Sequence, residues 1–214
     1  MPKALRPVLD TVVLRVMAFA HPEGLQIVLR ALRVKTARFP AEVYNWDEEA
    51  LPLTANDEAL SELARGLRYA RQQVERLPGQ QAQRFKIWLE NAQQLPRHHA
   101  RGSLIMDPLR LEELPRREEL YQTFGIGRGE SACLVLAERE RSTAVFLSSD
   151  KEACKVAEHL TIPFLTLSQL IEMWVRQERP TRPEVEELLV GLKAAKFALG
   201  ERDAALIREA LADG

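Results

Sequence analysis

Short apolar segments that alternate with helical patterns constrain the fold of this chain more than any other feature. A strand is predicted at residues 7–10, where an apolar run ends at Asp10, and a helix follows at residues 12–20. From Phe124 onward the predicted order is helix 130–140, strand 144–148, helix 151–160, strand 162–165 and helix 167–177. Because parallel strands must be joined by crossover connections, this alternation predicts an α/β fold with a parallel sheet.

The stretch from about residue 55 to residue 120 differs in character from the segments around it. It is rich in Ala, Leu, Glu, Gln and Arg and poor in β-branched residues, a composition that favours helix. We predict a helical insertion attached to the α/β domain as a hairpin, with Asn56 or Asp57 capping its first helix. Its arginines are interspersed with glutamates, which indicates a solvated, salt-bridged face. The alternative is that the arginines bind the phosphates of an RNA backbone.

Two prolines, Pro180 and Pro183, mark a linker into a helical C-terminal extension. The predicted organisation is one domain at residues 1–178, which includes the insertion at about 55–120, and an extension at residues 179–214. The apolar face of this extension suits either dimerisation or packing back onto the domain. A homodimer therefore stays open at this stage.

The charge balance gives no general reason to expect nucleic-acid binding. Lys plus Arg number 30 and Asp plus Glu number 31, so any electrostatic footprint must be a local patch. The cysteines, Cys133 and Cys154, lie in predicted helices, where reduced thiols are the expectation. Neither a long apolar run nor a secretory leader is found, so we expect a cytoplasmic protein without a membrane partner.

Three acidic residues stand where predicted helices begin. Asp10 follows the first strand, Asp150 follows the strand at 144–148 after Ser148 and Ser149, and Glu130 opens the helix at 130–140. In an open α/β sheet, ligands bind at the carboxyl ends of the strands. Carboxylates gathered there would make a hard-oxygen site for Mg²⁺ or Mn²⁺.

Each acid also has a purely structural interpretation. Asp10 and Asp150 are suited to cap the helices that follow them, and a carboxylate at Glu130 would favour the dipole of a first helical turn. The glycines before Glu130 invite comparison with a nucleotide-binding turn, but their spacing departs from the dinucleotide pattern and no good strand precedes them. Taken together, three acids at the junctions of one sheet favour a metal site.

The same residues carry a resemblance to a known family. Asp10 followed by Thr11, then Gly129 and Glu130 opening a helix, then Ser148-Ser149-Asp150 after a strand, resemble the PIN-domain family. The match is best with bacterial PIN-like proteins related to VapC-type toxin ribonucleases, and it covers residues 7–50 and 124–175.

The resemblance implies a three-layer α/β/α sandwich and a metal-dependent endoribonuclease. Asp10, Glu130 and Asp150 would be catalytic and would bind Mg²⁺ or Mn²⁺, with Thr11 and Ser148 in support. RNA would be the substrate, and a small antitoxin-like protein is an expected type of partner. The alternative is a catalytically inactive PIN-like module that binds RNA or a protein.

The family has a fourth acid after the second strand, and here its position is ambiguous. Glu42, Asn45 and Asp47 are all candidates, and Glu42 is favoured because the segment that begins at Pro40 resembles a first helical turn. We therefore include Glu42 among the expected metal ligands.

Other conspicuous side chains are given structural roles. His98 and His99 lack the companions that a zinc site needs and are expected in an exposed loop. Trp46, Trp88 and Trp174 sit in apolar surroundings, which indicates core or interface positions.

Overall fold

A parallel sheet of five strands forms the centre of the chain. The computed structural model describes residues 5–50 and 60–212. The strand order is β3-β2-β1-β4-β5, and every pairing between neighbours is parallel. The strands are β1 Arg6–Leu9, β2 Ala37–Phe39, β3 Leu104–Met106, β4 Ala144–Leu147 and β5 Phe164–Leu165. The predicted α/β class with a parallel sheet is confirmed.

Helices connect the strands and flank both faces of the sheet. They are α1 Thr11–Ala20, α2 Gly24–Ala31, α3 Glu62–Arg76, α4 Gly79–Ala92, α5 Gln94–Ala100, α6 Leu114–Phe124, α7 Arg128–Arg139, α8 Lys151–His159, α9 Leu167–Glu178, α10 Arg182–Ala194 and α11 Glu201–Ala212. Short 3₁₀ turns occupy Trp46–Ala50 and Leu111–Glu113. Where the sequence predicts an element, the boundaries agree to within a few residues, because strand-to-helix junctions are marked by local caps and apolar periodicity.

The topology divides the helices into two layers. The connections from β1 to β2 and from β2 to β3 run toward one edge of the sheet, whereas those from β3 to β4 and from β4 to β5 run toward the other. Since crossovers are right-handed, the two sets of connecting helices lie on opposite faces. The contacts agree, because α1 packs with α2, α3, α4 and α10, whereas α7 packs with α6 and α8. The result is the expected three-layer α/β/α sandwich.

Helix α1 is the central helix of its layer. Most of its side chains are buried, including Val13, Leu14, Met17 and Phe19. A helix that is apolar around most of its circumference must be covered on all sides, which its four neighbouring helices accomplish. At its far end the buried side chain of Gln94 donates to the carbonyls of His21 (2.6 Å) and Ala18 (3.1 Å). This amide satisfies carbonyl groups that the end of the helix leaves open.

The middle segment contains the predicted helical hairpin, formed by α3 and α4. The segment is the crossover between β2 and β3, and β3 is a strand of the sheet. It therefore supplies both a helical hairpin and one edge strand of the α/β domain.

The C-terminal extension packs back onto the domain. Helix α10 contacts α1, and α11 contacts α9. At Gly191 the backbones of α10 and α1 approach so closely that a Cβ on this glycine would overlap the carbonyl oxygen of Ala20. Ser168 donates to Asp203 at 2.8 Å, which ties α9 to α11. Of the two arrangements that the sequence left open, the structure adopts packing within the chain.

The histidine pair and the tryptophans have structural surroundings. The expected exposed loop at His98 and His99 was wrong, because both lie in α5, where His98 is 6% exposed and its Nδ1 is 2.7 Å from Ser103 Oγ. His99 stacks on Trp46 with ring centroids 4.2 Å apart. Trp88 and Trp174 are buried, as predicted, and Cys133 and Cys154 are free thiols. Among the described helices, none is both long and apolar enough to cross a membrane.

Candidate active site

The candidate site lies where the sheet changes direction. β1 and β4 are neighbours, with Leu9 paired to Leu147, but the connections that leave them run to opposite edges. Such a switch point opens a crevice at the carboxyl ends of the two strands. Asp10 and Ser148 are the first residues beyond those ends, so the fold brings them together from distant parts of the chain.

Asp10 is buried beneath this crevice. It caps α1, with Oδ1 accepting from the Thr11 amide at 2.6 Å, while Oδ2 accepts from the Ser148 hydroxyl at 2.7 Å. Burial, together with the charges of Glu130 and Glu62, raises the pKa of Asp10 to about 7, although the two hydrogen bonds oppose the rise. No Lys, Arg or His of the described residues forms an ion pair with this carboxylate, so its charge is not compensated by them.

The side chain of Glu130 reaches the same crevice from the helical layer opposite α1. It lies in the first turn of α7, and its Oε2 is buried without a hydrogen-bond partner among the described residues. Burial raises its pKa, as do the charges of Glu62 and Asp150, while a hydrogen bond with its own backbone acts in the opposite direction. Gly127 leaves room for this side chain, since a Cβ at that position would overlap Oε2.

Asp150 stands at the start of α8, as predicted. Its Oδ1 accepts from the Ala153 amide at 2.8 Å, which makes it the N-cap of that helix. Its own amide donates to Ser148 Oγ at 3.1 Å. Ser148 therefore connects the backbone at Asp150 with the carboxylate of Asp10. The structural and the functional interpretations of this acid are compatible, because only one carboxylate oxygen is used as the cap.

A fourth acid, Glu62, enters the cluster from α3. A Cβ placed on Gly129 would be 3.2 Å from Thr11 Oγ1 and 3.5 Å from Glu62 Oε1, so these groups meet around one small residue. The charge of Glu62 acts on both Asp10 and Glu130. Sequence reasoning missed Glu62 because it treated the middle segment as separate from the site.

A local signal for Glu62 does exist. Ser61 is the N-cap of α3 and Glu62 is its first residue, the same kind of helix start that singled out the other acids. The caps predicted for this helix, Asn56 and Asp57, lie outside the described residues. Glu48 holds the start of the helix in place, since its Oε2 accepts from both the amide and the hydroxyl of Ser61 at 2.7 Å.

The three residues proposed for the fourth acid have other surroundings. Glu42 accepts a hydrogen bond from Arg117 Nη1 at 2.8 Å, so its charge already has a cationic partner. Asn45 accepts from the Asp47 amide at 3.1 Å, and Asp47 itself is exposed. Metal ligation by Glu42 stays a prediction, whereas Glu62 has the stronger electrostatic coupling to the other acids.

The acids that converge here carry negative charge that the described cations do not neutralise. Within the described part of the chain, Asp10, Glu62, Glu130 and Asp150 form no ion pair with any Lys, Arg or His. Thr11 Oγ1, like Glu130 Oε2, is buried without a partner among these residues. Hard oxygen donors in excess of positive charge fit Mg²⁺ or Mn²⁺ chemically.

The side chains as placed do not yet form a ligand shell. Among the described residues, no three His, Cys, Asp or Glu side chains are grouped so that they could hold one ion. Ligation by three acids would therefore require glutamate side chains such as those of Glu62 and Glu130 to move. Comparison with known proteins identifies no relative, since no protein-family model, no curated protein and no solved structure matches the chain.

Proposed function

We propose that this chain is a PIN-like, metal-dependent endoribonuclease that hydrolyses RNA phosphodiester bonds. One observation carries the proposal: Asp10, Glu130 and Asp150 converge with Glu62 at the switch point of a parallel sheet and lack compensating cations among the described residues. If these carboxylates only stabilised the fold through ion pairs, cationic partners would neutralise their negative charge. The motifs that resemble the PIN-domain family are the second support.

The roles of the residues follow from their positions. Asp10, Glu130 and Asp150 would hold the cation, with Glu62 or Glu42 as a further ligand. A bound Mg²⁺ or Mn²⁺ would supply an activated water and stabilise charge on the leaving oxygen of the scissile phosphate. Ser148 orients Asp10 through its hydrogen bond of 2.7 Å. The Thr11 hydroxyl is buried beside the acids without a hydrogen-bond partner among the described residues, so it can accept or donate one further hydrogen bond.

The protonation of Asp10 fits this chemistry. Because burial and neighbouring acids raise the pKa of Asp10 to about 7, the side chain is mostly protonated below that pH. A divalent cation would displace that proton, since an adjacent positive charge favours the ionised form. Cation binding and proton release are therefore coupled at this residue.

Activity is tested by incubating the purified chain with single-stranded RNA. We expect endonucleolytic products with Mn²⁺ or Mg²⁺ and none when EDTA removes the divalent cation. Fragments that form equally with EDTA would contradict the proposal. RNA that stays intact under all these conditions would favour the second candidate.

The second candidate is a catalytically inactive PIN-like module that binds RNA or a protein. It is favoured by one observation, that the described acids as placed are not grouped as a ligand shell. Calorimetric titration with Mn²⁺ separates the candidates, because an inactive module would show no carboxylate-dependent binding. A cytoplasmic location and an antitoxin-like partner remain part of the proposal.

A further inference from the structure

A cleft opens directly beside the acidic cluster. It encloses about 390 Å³ and shares Glu62 and Gly129 with the cluster. Three arginines also line it, namely Arg65 from α3, Arg117 from α6 and Arg128 from α7. We call it the arginine cleft, after these three residues. Its walls come from these three helices and from the segments at residues 41–48 and 108–109, which only the folded chain brings together.

Two of the three arginines have no acidic partner in the described part of the chain. Arg117 is paired with Glu42 at 2.8 Å, so it contributes little free charge. Within residues 5–50 and 60–212, Arg65 and Arg128 form no ion pair, and both are exposed. Three glutamates line the cleft as well, namely Glu42, Glu48 and Glu62. The carboxylate of Glu48 accepts two hydrogen bonds from Ser61.

Arg128 is also oriented by an aromatic ring. Its guanidinium carbon is 5.5 Å from the ring centroid of Tyr121, a cation–π contact that limits where the side chain points. Tyr121 is 37% exposed, so part of its ring remains open to solvent. An unpaired base can stack on such a face, whereas bases within a duplex are already stacked.

We propose that the arginine cleft binds the sugar-phosphate backbone of single-stranded RNA, with Arg65 and Arg128 each contacting one phosphate. This inference rests on the proposed nuclease function and names the surface that would present the strand to the acids. Guanidinium groups form paired, charge-assisted hydrogen bonds with phosphate oxygens. In a chain of net charge -1, only such a local cationic surface can attract a polyanion.

The test measures binding of a fluorescent single-stranded RNA oligonucleotide in Mg²⁺ over a series of salt concentrations. Full-length Asp10→Asn protein serves as the background, so that cleavage does not interfere. Arg65→Gln and Arg128→Gln are compared with Arg76→Gln, a matched control about three turns further along α3. Arg76 is exposed, has no ion pair among the described residues and does not line the cleft.

We expect Arg65→Gln and Arg128→Gln each to weaken RNA binding about tenfold, the loss typical of one charge-assisted contact. Each should also reduce the slope of log affinity against log salt by about 0.7, the value for one phosphate of a single strand. Arg76→Gln should change neither quantity. Because all three side chains are exposed, none of these variants should impair folding.

Two results would overturn the arginine cleft: equal binding by Arg65→Gln, Arg128→Gln and Arg76→Gln, or no binding of the RNA at all. Cleavage by the wild-type chain is measured separately. Metal-dependent cleavage together with equal binding by the three variants would overturn the proposed role of the arginine cleft but would still support the proposed nuclease activity. Arginine-dependent binding without any cleavage would support the cleft and contradict the nuclease.

Discussion

The hydroxyl of Ser148 donates a hydrogen bond of 2.7 Å to the buried carboxylate of Asp10, across a sequence separation of 138 residues. The same oxygen accepts from the Asp150 amide at 3.1 Å. This serine thus links the ends of β1 and β4 and is the principal group that lowers the pKa of Asp10 against the effect of burial. The protonation of Asp10 should depend on it.

Ser148→Ala should therefore shift the pH dependence of cleavage. A hydrogen bond to a charged group contributes about 1.5 kcal/mol, which corresponds to about one pKa unit. Protonated Asp10 cannot ligate a cation, so activity at subsaturating Mn²⁺ should rise with pH through the pKa of Asp10. The variant should need a pH about one unit higher for half-maximal activity. Ser149→Ala is the control, because Ser149 Oγ accepts from the Leu167 amide at 3.0 Å and forms no side-chain hydrogen bond with an acid among the described residues.

Asp10→Asn should stabilise the chain when no divalent cation is present, and more so at alkaline pH. The pKa of Asp10 is raised from 3.8 to about 7, so the folded chain retains a proton that the unfolded chain releases between those values. Stability contributed by this group is therefore full below about pH 4 and is lost as pH rises toward and through 7. Asparagine carries no charge and can keep both hydrogen bonds, since its amide can donate to the Ser148 hydroxyl.

Urea unfolding in EDTA measures this difference. One pKa unit corresponds to about 1.4 kcal/mol. The free energy of unfolding of Asp10→Asn should therefore exceed that of the wild type by up to about 4 kcal/mol near pH 8, and by much less near pH 5. An advantage that did not change with pH would show that Asp10 does not retain its proton in the folded chain.

Glu62 should matter more for cation binding than Glu42. Its charge acts on both Asp10 and Glu130, whereas Glu42 is neutralised by Arg117 at 2.8 Å. Calorimetric titration should show that Glu62→Gln weakens Mn²⁺ binding at least about tenfold, equivalent to about 1.4 kcal/mol. Glu42→Gln should have a smaller effect. The reverse order would identify Glu42 as the ligand, as the sequence predicted.

Two glycine substitutions test the packing of the helical layer. Gly191→Ala should destabilise the chain by about 2 kcal/mol, because its Cβ would overlap the carbonyl oxygen of Ala20 where α10 crosses α1. Gly66→Ala is the matched control, since its Cβ would lie 3.7 Å from Arg15 Cδ and 3.8 Å from the Phe19 ring, at ordinary contact distances. In the interior of α3 it should stabilise by about 0.5–1 kcal/mol. Equal effects on the thermal midpoint would contradict this account of the α1–α10 contact.

The fold was predictable from sequence where its signals are local. The caps at Asp10 and Asp150 and the apolar runs of β1 and β4 are read within a few residues, and the structure confirms them. Parallel pairing followed from the alternation of strands and helices. The strand order and the switch point at Asp10 could not be predicted in this way, because both depend on how all five strands are connected.

The site was harder to predict because its membership depends on distant contacts. Glu42 resembled a ligand in sequence, but its partner Arg117 is 75 residues away and could not be foreseen. Glu62 was overlooked for the complementary reason, since it joins the cluster only because α3 packs against α1. Both relationships are contacts between segments that are distant in the sequence and meet only in the folded chain.

Cleavage of single-stranded RNA in Mn²⁺ by the wild-type chain and by Asp10→Asn, Glu130→Gln and Asp150→Asn tests the central claim most directly. Circular dichroism should show that all four proteins are folded. We predict that the wild type cuts the RNA and that each substitution abolishes cleavage, because each removes a carboxylate from the cation site. Cleavage retained by all three variants would contradict the account.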